Sequence, residues 1–577
     1  MIVMKAFEPA RIKALFLPAA LLILTLWLTS LLDAGSFLSP YLFCAIAGAM
    51  AITANRGRMG SFSGRESVCS LIFAALFALS VLLANYELTW FANLPKICVL
   101  LLGGWMIARH VLLAALRLEI SPAAGPLPAG KKSGRIFCAV FFSVSLVYLL
   151  ALFLCYRPGI LSPDSIEQVS QIRTGIYTNH HPFWHTMIIR ACLALGMRLF
   201  HNINDAVTVY SVFQLLCMAA VFSYACMTLA QGGTPLPWIA AAAAAFALLP
   251  YHILYSVTMW KDVLFGGAVL LFVCAAHRVY RDIGRKGLNF FLLALGALGS
   301  CLLRSNGFAA FVLAFCVFFF KSGKSRKKML GILLSLILAA FILIYPLLGL
   351  LGIQQPDPAE FLSIPEQQIG RLIVDQAALS GEETALLQKI LDFDAVRKNY
   401  IPTISDPIKI IIRDTNPAYL REHLTDYLKL WLKLGLRYPA AYLKAWIDQT
   451  KGYWNAGYEH RVVSTGVWPN AFGIEALPRD HPFSAAITRW VSVFLHNPMF
   501  ELFRSIGLHV WILLLCFFIQ IAKGKEGWLT CVLPITVVLS LLVSTPVSNE
   551  FRYAYAVFTT VPFLVLTTFT GGVSDER

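Results

Sequence analysis

Asp164 and Glu167 stand three residues apart, directly behind Ser162 and Pro163. On a helix that spacing puts both carboxylates on one face. Ser162 as cap and Pro163 in the first turn fit a helix start at this point. A carboxylate aimed at a hydroxyl can take its proton, which is what transfer to an alcohol requires. The plainer role for Asp164 is to favour the positive end of its own helix. Asn179-His180-His181-Pro182 follows, with His185 four residues beyond His181. Two histidines at that spacing raise zinc, but Pro182 between them makes His181 the cap of the next helix, and neither an HExxH pattern nor a cysteine partner accompanies them. Hydrogen bonding to a phosphate or hydroxyl suits His180 and His181 better, and a packed structural role suits His185. Trp260-Lys261-Asp262, Arg304-Ser305-Asn306 and Asn549-Glu550-Phe551-Arg552-Tyr553 complete the set. Lys261 and Asp262 are placed to pair with each other, and Trp260 fits an interfacial aromatic belt. Arg304 and Arg552 can snorkel to lipid headgroups or grip a phosphate in bidentate fashion.

The elements that carry these residues are set by composition. The chain has 577 residues, 58% hydrophobic, 13% aromatic and only 14% charged. A soluble chain carries roughly a quarter charged residues, so this exterior faces lipid. Apolar runs of about 18 residues or more recur, each long enough to cross the hydrocarbon layer as a helix. The runs are continuous and do not alternate, which excludes a β-barrel. The net charge of +16 belongs to the membrane half: the polar segment 352–505 holds 16 Lys and Arg against 17 Asp and Glu. Basic cytoplasmic loops account for it without a nucleic-acid partner. None of the 13 cysteines falls in that segment and no CxxC pair occurs, so the thiols read as small core residues.

Basic clusters at Lys5–Lys13, Arg56–Arg65, Lys131–Arg135, Arg278–Lys286, Lys321–Lys328 and Lys523–Lys525 mark inside loops. An even number of apolar spans separates each neighbouring pair, so both termini lie in the cytoplasm. The expected fold is all-α and polytopic, with about 14 transmembrane helices. Those before the polar segment run roughly at 14–32, 38–54, 68–85, 95–116, 136–155, 205–229, 236–250, 262–280, 288–302, 305–320 and 329–351. Three more follow at 506–522, 527–543 and 553–571. Four units result: accessory helices and a linker at 1–134, a core at 135–351, an extracytoplasmic helical loop at 352–505, and closing helices at 506–577. Within the loop, aromatic and leucine residues recur at helical spacing from Tyr419 to Trp454, Pro439 starts a new helix, and a break falls near Ser380-Gly381. On this threading all five polar clusters fall outside the cytoplasm. Ionisable groups hard against membrane spans mark a site.

The order of an apolar span, Pro158-Gly159, Pro163-Asp164-Ser165, Asn179-His180-His181-Pro182 and then Trp260-Lys261-Asp262 resembles the GT-C superfamily of membrane glycosyltransferases, in a bacterial branch distantly similar to protein O-mannosyltransferases and lipid A aminoarabinose transferases. The likeness covers about residues 140–560 and includes Ser363-Ile364-Pro365-Glu366-Gln367-Gln368, Tyr438-Pro439 and Tyr453-Trp454. It implies a polyprenyl-phosphate-linked sugar as donor and a cell-envelope glycan, lipid or protein as acceptor, at the outer face of a bacterial plasma membrane. It implies a catalytic acid at Asp164, a second acid at Asp262, and basic residues at Arg304 and Arg552 on the donor phosphate. With Glu167 beside Asp164, the candidate catalytic set is Asp164, Glu167 and Asp262. The candidate substrate-binding set is His180, His181, Lys261, Arg304, Asn306, Arg552 and Tyr553. The departures are four extra spans ahead of the module, separated acids and no clear metal motif. No cofactor is called for, and a divalent metal stays open. The rival readings are a lipid or polyprenyl-linked substrate transporter or flippase, and an O-antigen ligase or polymerase.

Overall fold

The computed structural model describes residues 62–86, 94–122, 131–321, 327–456, 465–497 and 500–570. The expected spans at 14–32 and 38–54 lie outside the described residues. Those described are helical apart from turns and isolated bridges. The first unit contains α1 (Gly64–Ala84) and α2 (Leu94–Ala115). Then come α3 (Lys131–Ala151), α4 (Pro163–Thr174), α5 (Phe183–Phe200), α6 (Ile203–Gln231), α7 (Leu236–Leu248) and α8 (Pro250–Ser256). They are followed by α9 (Lys261–Tyr280), α10 (Lys286–Leu302), α11 (Ser305–Lys321) and α12 (Lys327–Ile344). The main helices of the polar segment are α13 (Ser363–Val374), α14 (Gly381–Gln388), α15 (Asp406–Thr415), α16 (Leu424–Arg437) and α17 (Pro439–Trp454). The closing helices are α18 (Ile506–Ala522), α19 (Val532–Ser544) and α20 (Tyr555–Phe569).

Among the described residues, seven helices are long and apolar enough to cross a bilayer, or eight when α7 and α8 count as one bent span, so the chain is a helical membrane protein. Pro250 lacks the amide hydrogen that a continuing helix needs, and α8 leaves α7 at 55°; the expected single span at 236–250 is a broken one. α5 passes the same length and composition test without having been expected to span. Its two flanks both attach to segment 352–505: the Asn179 amide donates to Gln354 O at 2.8 Å and Asn204 Nδ2 to Gly473 O at 3.2 Å.

Local chemistry sets the helix ends. α1 starts in a reciprocal capping box between Ser63 and Glu66, and α6 starts under the Asn202 side chain. α4 stops at Gly175, which takes the left-handed conformation that closes a helix cheaply. In the polar segment Ser380 caps α14 and Pro439 opens α17, as the sequence predicts.

The membrane core centres on α6, α7, α8 and α20, where Phe222, Phe246, Tyr255 and Tyr555 are buried and in ring contact with one another or with His252. α1 and α2 pack outside it on α18, with Phe77 edge-on to Trp511 at 4.9 Å. The polar segment owns a separate core of Ile369, Ile373, Leu391, Ile412, Leu434 and their neighbours. Two devices fasten it to the membrane unit. Trp446 Nε1 donates to Leu542 O at 2.8 Å, and Tyr453 OH donates to Val547 O at 2.7 Å. Gly452 lets α17 touch the 545–549 turn, since any Cβ there would stand 1.8 Å from Ser548 O.

Candidate functional site

Three chain segments meet at Asp164. Pro163 starts α4, the Ser162 amide donates to Ser165 Oγ at 3.1 Å, and Ser165 Oγ donates to Met259 O at 2.7 Å. That last bond ties the head of α4 to the turn before α9. Trp260 closes the joint by donating its indole N–H to Ser162 Oγ. Asp164 and Lys261 are therefore the part-buried tips of two helix starts locked together.

Asp164 Oδ2 accepts from Lys261 Nζ at 3.0 Å and from Arg552 Nη1 at 2.8 Å. Burial works against the Asp164 charge, but Lys261, Arg552 and His181 outweigh it and hold the carboxyl well below its ordinary range. Arg552 comes from the turn Phe551–Ala554, just before α20. Its guanidinium lies 4.9 Å from the Trp260 ring centre and 5.1 Å from that of Tyr553, and Glu550 stands 3.4 Å from its Nε. Trp260 is thus a buried platform for Arg552 in addition to any interfacial role.

His181 does not cap α5. The N-cap is Pro182, and Asn179 Oδ1 accepts the Phe183 amide in its place. The proline at the boundary sets the cap, which leaves the His181 ring free to turn back to α4. There its Nε2 is 3.0 Å from Glu167 Oε2, and its Nδ1 is 2.9 Å from Lys261 Nζ and 3.9 Å from Asp164 Oδ2. The His181 bond, partly opposed by burial, holds the Glu167 carboxyl below its ordinary value. Asp164 and Glu167 do share one helix face, with the imidazole between them.

Lys261 and Asp262 do not pair with each other. Successive residues on a helix point about 100° apart, so Lys261 faces Asp164 while Asp262 turns inward to Arg304, 3.2 Å away. Asp262 is fully buried and neither of its oxygens makes a well-aligned hydrogen bond. Arg304 donates to Tyr553 O at 2.7 Å and stacks 4.7 Å from the Tyr553 ring. Tyr553 consequently sits between both guanidinium groups and joins the two ion-pair clusters. Asn306 stands apart from them, donating to Ser540 Oγ at 2.7 Å between α11 and α19.

His180 faces the polar segment. It packs on His181 with ring centres 4.6 Å apart and reaches to 4.0 Å from Glu360 Oε1. Glu360 in turn pairs with Lys409 at 3.3 Å and with Arg413. That contact between the site loop and segment 352–505 lies beyond sequence reasoning, because Glu360 carries no motif. Behind the site, His185 is the packed histidine expected: it is fully buried between Gln168, at 3.1 Å from Nδ1, and Tyr210 OH, at 2.8 Å from Nε2.

Glu167, His180 and His181 each bring one metal-capable atom within 4.8 Å of the others. Both ring nitrogens of His181 are already engaged, one by a carboxylate and the other by an ammonium. A metal at Nε2 would force the ring proton onto Nδ1, against the donor-only Lys261. This arrangement does not fit a metal. Within the Ser363–Gln368 stretch, Gln367 and Gln368 donate to Ile401 O and Tyr442 O, at 2.8 and 3.2 Å. Glu366 is fully buried with no hydrogen-bond partner on either oxygen, and burial pushes its carboxyl well up.

No curated protein and no solved structure matches the chain. A family profile matches residues 171–576, a stretch that takes in His180, His181, Lys261, Arg304 and Arg552 and begins just after Asp164 and Glu167. That stretch is well over half of the chain, which therefore belongs to the family of unknown function DUF6020.

Proposed function

We propose that the protein is a GT-C-like glycosyltransferase that moves a sugar from a polyprenyl-phosphate donor to an acceptor hydroxyl. In this reading the chain crosses a bacterial plasma membrane about fourteen times with both termini inside, and Asp164 works at the outer face on a glycan, lipid or protein of the cell envelope. The observation that carries the reading is one carboxylate, Asp164, held between two cations, in a chain that also carries an apolar groove. The groove is about 480 Å³ and lies between α3, α5, α6, α9 and α10. Its lining includes Leu264, three residues after Lys261, and Leu303, next to Arg304 in the chain, with Tyr224, Leu271 and Leu295. Its dimensions suit part of an isoprenoid chain, with the phosphate at Arg552.

The charge pattern supports an order of events. With Arg552 and Lys261 both on it, Asp164 is a weak base. A donor phosphate recruits Arg552 away, because guanidinium pairs with phosphate in bidentate fashion. Asp164 then keeps one cation and becomes the stronger base at the moment the donor is in place. It takes the acceptor proton as the acceptor oxygen attacks the sugar carbon and the phosphate leaves, stabilised by Arg552. Arg304, paired with Asp262 and stacked on Tyr553, holds the Arg552 turn in position.

The test is glycan profiling of the cell envelope with and without the protein, followed by transfer assays in membranes carrying Asp164→Asn or Arg552→Met. Loss of one envelope glycan, and of its transfer in both variants, is the expected result. An unchanged envelope, or near-normal transfer by Asp164→Asn on a proven substrate, removes the assignment.

A further inference from the structure

The protonation form of His181 follows from its neighbours. Lys261 Nζ stands 2.9 Å from Nδ1, and an ammonium only donates, so Nδ1 must be the accepting nitrogen. The neutral ring then carries its proton on Nε2, 3.0 Å from Glu167 Oε2, which accepts it. Burial and the Lys261 charge push the ring below its ordinary value despite Glu167 and Asp164, so the neutral form prevails. Lys261 is thereby held on two acceptors at once, Nδ1 of His181 and Oδ2 of Asp164.

We propose that Glu167 and His181 are positioning residues: Glu167 fixes the ring in its Nε2–H form, and the ring's free Nδ1 lone pair pins the Lys261 ammonium on Asp164. Glu167 is about half exposed and reaches Lys261 through the imidazole, which bonds Glu167 at Nε2 and Lys261 at Nδ1. The arrangement has a defined polarity. Move the proton to Nδ1, or add a second one, and two donors face each other at 2.9 Å; Lys261 must then swing off Asp164. The charged groups facing His181 are Asp164 and Glu167 from α4, Lys261 from α9 and His180 from its own loop, with Arg552 on the shared Asp164 oxygen. A lysine so held stays with Asp164 when Arg552 is drawn to a phosphate, which gives the base a fixed companion through turnover. That last step rests on the proposed glycosyl transfer; the ring geometry does not.

The experiment is a ¹⁵N-histidine NMR titration of the full chain in nanodiscs, with the His181 signals assigned by their loss in His181→Asn. The expected result is an unprotonated Nδ1 and a protonated Nε2 across the neutral range. Lys261→Met should raise the His181 titration midpoint by about one unit, because a neighbouring cation is gone. Glu167→Gln should bring up the Nδ1–H form, and Glu167→Asp should partly restore the original. A proton on Nδ1 in the unaltered protein, or a midpoint unmoved in Lys261→Met, overturns the proposal. In the transfer assay, Glu167→Gln should lower turnover about 10- to 100-fold through a misplaced Lys261, with little change in donor affinity. NMR as expected with no sugar transfer by any form keeps the positioning chain and removes the glycosyltransferase reading. Transfer lost in Asp164→Asn but unaltered in rate and pH profile in Glu167→Gln removes the chain and keeps that reading.

Discussion

Replacing Asp164 by Asn leaves Lys261 and Arg552 facing each other with no carboxylate between them. Their nitrogens contact the same oxygen, at 3.0 and 2.8 Å, so they stand no more than about 5.8 Å apart, where unit charges repel by about 3 kcal/mol at an effective dielectric of about 20. The three side chains are 15%, 15% and 24% exposed, so solvent screens only part of this and about 2 kcal/mol of destabilisation remains. The substitution barely changes shape; what it removes is the carboxylate's attraction to both cations, which offsets this repulsion in the unaltered protein. Adding Lys261→Met to Asp164→Asn removes the repulsion and should recover most of that loss, whereas Lys261→Met alone strands a carboxylate with one cation and should be mildly destabilising. Thermal unfolding of the four proteins in nanodiscs, at low and high salt, closes the cycle. Sheltered charges respond weakly to salt, so the pattern should survive at high ionic strength. If Asp164→Asn unfolds with the unaltered protein, and the second change adds a further loss, the ion-pair geometry argued above is wrong.

Other consequences can be checked in the same preparations. Burial holds the Glu366 carboxyl above its ordinary value, so the unfolded chain ionises first: its contribution is fully present below about pH 4.3 and declines as pH rises. Glu366→Gln should flatten that decline and unfold later than the unaltered protein at neutral pH; parallel stability curves from pH 4 to 8 would count against this. Arg437 and the Ser380 amide hold Glu383 at about 2, so the stability it adds is present above its unfolded value and fades as pH falls toward about 2; Glu383→Gln should remove that acid-side slope. Gly452→Ala would drive a methyl to 1.8 Å from Ser548 O, and it should cost about 1 to 3 kcal/mol and weaken the turn leading to Arg552, read as lower unfolding temperature. Tyr86 OH bonds both Asp448 oxygens, at 2.9 and 2.8 Å; Tyr86→Phe should cost about 1 to 2 kcal/mol, measured as proteolytic release of the α1–α2 hairpin.

The helices were legible because lipid-facing runs announce themselves by hydropathy, and their described bounds follow the expected spans closely. The head of α4 was legible too, since Ser162, Pro163 and Asp164 obey local capping rules that need no tertiary context. What sequence could not supply was partnership. Lys261 and Asp262 are adjacent, and adjacency suggested a local pair; helical rotation sends them to Asp164 and Arg304 instead. His181 looked like a cap because a proline follows it, yet that proline takes the boundary itself and releases the ring to Glu167. The break between α7 and α8 was hidden inside a continuous apolar run, with Pro250 its sole mark. Glu360 was invisible because its importance lies in what it touches, His180, Lys409 and Arg413, none of them near it in sequence.

The Asp164–Arg552 bond joins residues 388 positions apart, and Tyr86–Asp448 joins residues 362 apart. During synthesis the amino-terminal helices must wait in the bilayer, undocked, until nearly the whole polypeptide has left the ribosome. A product released early carries the acid and the lysine but lacks the guanidinium that completes their cluster. Truncated copies therefore leave Asp164 and Lys261 without the third member of their cluster.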